Sequence, residues 1–93
     1  MDEQKARLKR LRMRSWRRGT KEMDLILGPF SDSELAALSP ADLDLYEALL
    51  EENDQDLYPW ITARLGGSRP GPHPLSGMLD QIARHAHDRL RPK

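Results

Sequence analysis

Cysteine is absent from the 93 residues. That excludes disulfides, thiolate chemistry and cysteine-based zinc sites. Long apolar runs are missing too: none approaches the ~20 residues needed to span a bilayer, so no membrane insertion is expected. No apolar stretch follows the basic N-terminus, which therefore does not read as a signal peptide. Its arginines resemble those of a mitochondrial presequence, but Asp2 and Glu3 lie within it and Ser15 is its only serine. A soluble protein of the bacterial cytoplasm is the expectation. Aromatics are few: two tryptophans, two tyrosines and one phenylalanine. No alternating strand pattern and no internal repeat is visible. A single domain of this length buries only roughly 60–65% of its unfolded surface, so a deep, water-excluding active site is not expected.

What is present is charge, and it is segregated. Residues 1–22 carry nine Lys/Arg against three Asp/Glu; residues 23–58 carry ten Asp/Glu and no Lys/Arg; residues 59–93 carry six against two. The formal net charge is nonetheless zero. Two readings stay open. Either a basic helix packs beside acidic ones and the fields partly cancel, or one face is kept basic for an acidic partner.

The periodicity predicts an all-α fold, a compact bundle of about five helices, several short, in one domain spanning residues 1–93. A basic first helix is expected over 3–17, rich in strong helix formers but with a poorly defined apolar face. Gly19 ends it, with Arg17 and Arg18 in its last turn, where cations suit the helix dipole. Thr20 caps the next helix, and Gly28-Pro29 is expected to stop it after about two turns. Ser31 and Glu34 fit a capping box for a short helical piece through Leu38. Ser39 and Pro40 mark a further start, with Leu43, Tyr46 and Leu50 on an apolar stripe. Leu57, Ile61 and Leu65 line one face of a fourth helix. Pro59 favours a start as late as Asp56, since proline is tolerated in the first turn. The acidic helices thus occupy 23–65. Residues 66–77 hold four glycines and three prolines and read as a mobile linker with no buried face, dispensable for partner binding. A last helix over 76–90 places Leu75, Leu79, Ile82, Ala86 and Leu90 in register.

Little in the chain suggests chemistry. His85 and His87 are two apart and diverge on a helix, His73 is in the linker, and no HExxH spacing occurs, so no metal site is expected. No serine sits in a nucleophile elbow and no glycine-rich loop follows a strand, so neither an enzyme nor a nucleotide-binding fold is indicated. The tyrosines and Trp60 read as core or half-buried packing. The densest gathering of recognisable groups is Ser15 to Asp24, where the basic segment meets the acidic one. There Trp16 adjoins Arg17 and Arg18, the residue types of an interface hot spot. Within it, Arg18 and Glu22 would form an i,i+4 surface salt bridge if the turn were helical. A basic-helix nucleic-acid-binding regulator is the alternative to a protein-docking role. Nine cations would supply phosphate contacts, but the ten carboxylates that follow would repel the same backbone.

Arg18-Gly19-Thr20-Lys21-Glu22 matches the Arg-Gly-x-x-Glu motif of the small FAD assembly factors of succinate dehydrogenase. Arg17 precedes it and Met23-Asp24 follows it, as in that family. Gly28-Pro29-Phe30, Leu49-Leu50-Glu51 and Asn53-Asp54-Gln55-Asp56-Leu57-Tyr58-Pro59-Trp60 resemble the family's later segments. The resemblance runs over roughly residues 7–65. Pro59 departs from a position that is usually polar, and the linker and last helix look particular to this branch. The resemblance implies a five-helix factor without turnover chemistry or a cofactor of its own, monomeric when free. It would bind the flavoprotein subunit of succinate dehydrogenase, and of fumarate reductase in a wider client range, and promote covalent attachment of FAD to a histidine of that subunit. It also implies a partner-binding set: Trp16, Arg17, Arg18, Gly19, Glu22 and Asp24. Gly19 would allow close backbone approach, Arg17 and Arg18 would bond client carboxylates or carbonyls, and Glu22 would face the client's flavin region.

Overall fold

The computed structural model describes residues 2–90. Its elements are α1 (Glu3–Trp16), α2 (Lys21–Glu34), a 3-10 turn (Leu35–Ala37), α3 (Pro40–Leu50), α4 (Asp54–Leu65), a second 3-10 turn (His73–Leu75) and α5 (Ser76–Leu90). The all-α, five-helix expectation holds; no strand occurs among the described residues. None of these helices is long and apolar enough to cross a membrane.

Helix α1 lies against α2 and α3, while α5 packs on both α2 and α4. Between them sit Leu27, Phe30, Leu43, Tyr46, Leu49, Leu57, Ile61, Leu79 and Ile82, each essentially inaccessible. Burial of such side chains contributes about 1.5–3 kcal/mol apiece. Phe30 stacks on Tyr46 with ring centroids 5.6 Å apart and meets His85 edge-on. The poorly defined face of α1 resolves into Leu11 and Ser15, its buried residues. Ser15 Oγ donates to the Leu11 carbonyl (2.7 Å) and shares a 2.6 Å hydrogen bond with the Tyr46 hydroxyl. Burial pushes the Tyr46 phenol up to about 12, because the charged form would lose its hydration.

Local signals were realised where a cap and its helix were the whole story. Asp2 caps α1, Thr20 Oγ1 accepts from the Met23 amide at 3.3 Å, and Ser39 Oγ accepts from the Asp42 amide with Pro40 at the first position.

Tertiary contacts overrode the sequence signals elsewhere. Helix α2 does not stop at Gly28-Pro29 but continues to Glu34. Pro29 cannot donate to the Leu25 carbonyl four residues back. Arg89 of α5 supplies the missing donor, its Nη1 lying 3.0 Å from that oxygen. Gly28 fits because the Trp16 indole lies on it; a Cβ there would stand 2.3 Å from Trp16 Cδ2. The capping box is therefore not formed: Ser31 is buried inside α2 and donates to the Gly28 carbonyl at 2.7 Å. Helix α4 starts at Asp54, two residues before the expected Asp56, and carries Pro59 in its second turn. The carbonyl that Pro59 leaves without a helical donor belongs to Gln55, an exposed residue, where water can serve. Leu65 is half exposed rather than buried; it is the last residue of α4, which ends at Gly66.

The 66–77 segment does have a buried residue, Leu75, and a set of anchors. Arg64, its side chain only 3% exposed, ties α4 to α5 through Asp80 (2.9 Å). It also donates to the Trp60 and Pro70 carbonyls and to Ser76 Oγ. Arg69 pairs with Asp80 as well. Gly71, at φ +109°, lies against Trp60 and Leu79, where a side chain would be both strained and crowded. Leu75, Leu79, Ile82 and Ala86 are buried as the α5 register predicts, joined by Met78 and Ala83. The side chain of Leu90, like residues 1 and 91–93 of the expected domain, lies outside the described set.

Candidate functional site at the Arg-Arg-Gly turn

The turn between α1 and α2 is built by four residues. Arg17 closes α1, its amide donating to the Arg14 carbonyl. Arg18 therefore follows the helix end instead of lying in its last turn. Gly19 takes φ +105°, a conformation that L side chains rarely adopt. Thr20 then caps α2, and Asp24 in the first turn of α2 reaches back to accept from the Arg18 amide at 2.6 Å.

The Arg18 side chain points inward. Its Nε and Nη2 lie 2.9 and 2.8 Å from Asp54 Oδ1. Nη1 donates to the Leu50 carbonyl at 2.7 Å and Nη2 to the Glu52 carbonyl at 2.8 Å. Those oxygens belong to the end of α3 and the loop before α4, so one guanidinium closes a helix C-terminus and docks the turn on the α3–α4 corner. Only 11% of the Arg18 side chain and 17% of Asp54 remain exposed. The i,i+4 pair with Glu22 does not form, because the Gly19 turn separates the two residues into different elements.

The six expected docking residues thus divide. Arg18 and Asp24 hold the turn in shape. Arg17, Gly19 and Glu22 are exposed, and neither Arg17 nor Glu22 has an ion-pair partner among the described residues. Trp16 is intermediate in role: its indole lies on Gly28 and Nε1 donates to Asp32 at 3.3 Å, yet 40% of the residue is exposed. Gly19 has open space where a Cβ would stand, so its surface is bare backbone.

The first reading of the charge segregation is realised in part. Arg7 pairs with Asp44 and Glu47, Arg14 with Glu51 and Arg18 with Asp54, all facing α3 or its exit. The Arg7 guanidinium is held charged, raised by its hydrogen bond to Asp44. The remaining cations of 1–22, Lys5, Lys9, Arg10, Arg12, Arg17 and Lys21, are exposed with no carboxylate within ion-pair distance among the described residues.

Of two apolar residues near the turn, Leu25 was not singled out by sequence, and Tyr58, read there as core or half-buried packing, is exposed. Leu25 is 45% exposed and Tyr58 41%. A groove of about 390 Å³ brings Thr20, Glu22 and Met23 of the turn together with Asp54, Gln55 and Tyr58. Their outward position was readable in principle. Leu57 and Ile61 fix the buried face of α4, and Tyr58 stands about 100° from Leu57 on the wheel.

The fold and this turn define the class: a small all-α protein that presents a rigid polar turn and gathers no metal-binding cluster of His, Asp or Glu among the described residues. The comparisons with known proteins make it specific. The family model Sdh5, flavinator of succinate dehydrogenase, matches residues 9–86, and the chain belongs to that family. It is 35% identical over 91 residues to the FAD assembly factor SdhE of Vibrio cholerae, covering 96% of this chain and 95% of that protein. The SdhE of Pseudomonas putida is 34% identical over 77 residues, 83% of each chain. The mitochondrial succinate dehydrogenase assembly factor 2 of Mycosarcoma maydis is 41% identical over 58 residues, 62% of this chain and 24% of that protein. The family match runs across the Gly/Pro segment and into α5.

Proposed function

We propose that this protein binds the flavoprotein subunit of succinate dehydrogenase through the outer side of the Arg-Arg-Gly turn and promotes covalent attachment of FAD to it. The observation that carries this reading is the division of the motif. Arg18 and Asp24 fix the turn through four hydrogen bonds, all donated by Arg18, leaving Arg17, the Gly19 backbone and Glu22 facing solvent in a defined geometry. The family's description as flavinator of succinate dehydrogenase, and a relative named FAD assembly factor, support this client and this reaction. Covalent attachment needs flavin and acceptor side chain in near-attack geometry with developing charge stabilised. Those groups belong to the client, and a 93-residue docking protein contributes by holding the client in the competent conformation, without turnover of its own.

In this reading Gly19 lets the client backbone approach, Arg17 donates charge-assisted hydrogen bonds, and Glu22 presents a fixed carboxylate. The test is Glu22→Ala in cells that depend on this protein for flavin attachment. Covalent flavin fluorescence of the client subunit in denaturing gels is expected to fall severalfold, with unchanged circular dichroism. Wild-type levels of covalent flavin would overturn the reading.

A further inference from the structure

Glu22 lines a second groove as well as the one it shares with Thr20. That groove, about 240 Å³, runs between α2, α4 and α5 and is lined by Glu22, Leu25, Ile26, Tyr58, Ala86 and Arg89. Its floor is apolar: Ala86 is buried and Ile26 packs against the core. Two of the five large apolar side chains exposed on the described surface, Leu25 and Tyr58, stand on its walls. Its rim carries charges of opposite sign, the Glu22 carboxylate and the Arg89 guanidinium, and Arg89 is fixed there by its bond to the Leu25 carbonyl. Glu22 and Tyr58 line both grooves, so the two form one continuous surface divided by the Tyr58 ring.

We infer that this groove is an anchoring site for the same client: it receives an apolar side chain of the flavoprotein subunit, flanked by a basic group facing Glu22 and an acidic group facing Arg89. The inference rests on the proposed docking of the turn and extends it across α4 and α5. Three features carry it. The groove is continuous with the turn through Glu22. Exposed aliphatic and aromatic walls with a charged rim have the make-up of an interface anchor pocket. The charges at its two ends also give an entering segment a direction. The inference gives α5 a role in docking as well as in packing.

The experiment measures affinity of the purified protein for the purified flavoprotein subunit. Leu25→Glu and Tyr58→Ala are each expected to weaken binding more than about fivefold, the loss typical of an interface anchor. Leu25→Ser is the milder variant, expected to weaken it in the same direction with an unchanged melting temperature. Leu65→Ser alters an equally exposed leucine that lines neither groove and is expected to bind within twofold of wild type. If Glu22→Ala weakens binding while all three groove variants bind like wild type, the anchoring site is wrong and the docking turn stands. If none of the variants, Glu22→Ala included, changes binding, both are wrong. Sedimentation of the protein alone decides against a different occupant: a wild-type dimer that Leu25→Glu converts to monomer would assign the groove to a second copy of this chain and overturn the inference.

Discussion

Two corners of this molecule are each closed by one arginine, and they differ in what they leave outside. At the α4–α5 corner, Arg64 bonds Asp80, two carbonyls and Ser76, and is 3% exposed. At the α1–α2 corner, Arg18 bonds Asp54 and two carbonyls, and is 11% exposed. The device is the same: a guanidinium with five donors satisfies helix-terminal and loop carbonyls that would otherwise lack partners. The first corner leaves outside it Gly, Pro, the half-exposed Leu65 and Arg69, itself paired to Asp80. The second leaves Arg17, a bare glycine backbone and Glu22 turned to solvent, with Tyr58 and Leu25 close by. An arginine clamp by itself therefore says nothing about function. What marks the α1–α2 corner is a set of unpaired groups held rigid by a clamp that consumes none of them.

The comparison can be tested by breaking each corner in turn. Arg64→Ala is expected to have the largest effect on stability, about 3–4 kcal/mol, because it removes the nearly closed guanidinium that ties α4 to Asp80 and the Pro70 carbonyl, leaving Asp80 only the exposed Arg69. Urea denaturation reads this directly, and covalent flavin on the client, measured well below the melting temperature, should persist. Loss of flavin attachment in a folded Arg64→Ala protein would erase the distinction between the corners. Arg18→Ala is expected to cost somewhat less, about 2–3 kcal/mol, since the site is more open. It should also abolish flavin attachment under conditions where the protein remains folded, because the outward groups lose their fixed geometry.

Gly19→Arg should cost about 1–2 kcal/mol from the positive-φ backbone alone, as nothing lies within 4 Å of the added Cβ. Its effect on client binding should far exceed that cost, and isothermal titration beside thermal melting separates the two. Binding as tight as wild type would remove Gly19 from the docking surface. Glu22→Ala sits at the small end, with a stability change within about half a kcal/mol. A larger drop in its melting temperature would show that Glu22 belongs with Arg18 on the structural side.

Helix order and caps were legible because each depends on residues within a few positions. Thr20 and Ser39 set helix starts through their own side chains, and Gly67 at φ +93° turns the chain away from the end of α4. Pro29 shows where this fails. Its local meaning is a helix end, but the carbonyl it deprives is served by Arg89, 64 residues from Leu25 in the chain. Once that donor is present, and Gly28 can accept the Trp16 indole, continuing α2 to Glu34 costs less than stopping it. The Gly/Pro segment was misjudged for the same reason. Its composition describes the backbone's freedom but not the buried Leu75 or the Arg64 clamp that removes it.

The sequence by itself determined that the protein is helical, where most of its helices begin, and that the stretch around Arg17-Arg18-Gly19 joins the basic and acidic segments. Those properties follow from periodicity, capping and charge, which are local along the chain. Only the tertiary structure decided which motif residues face outward. Arg17 and Arg18 are adjacent and chemically identical, yet one is exposed and the other is committed to Asp54, Leu50 and Glu52. The difference arises because α1 ends at Trp16 and Gly19 turns the backbone, aiming one side chain at the open carbonyls of the α3–α4 corner and the other at water. Burial and partner are relations between distant segments, and no single stretch of sequence contains them.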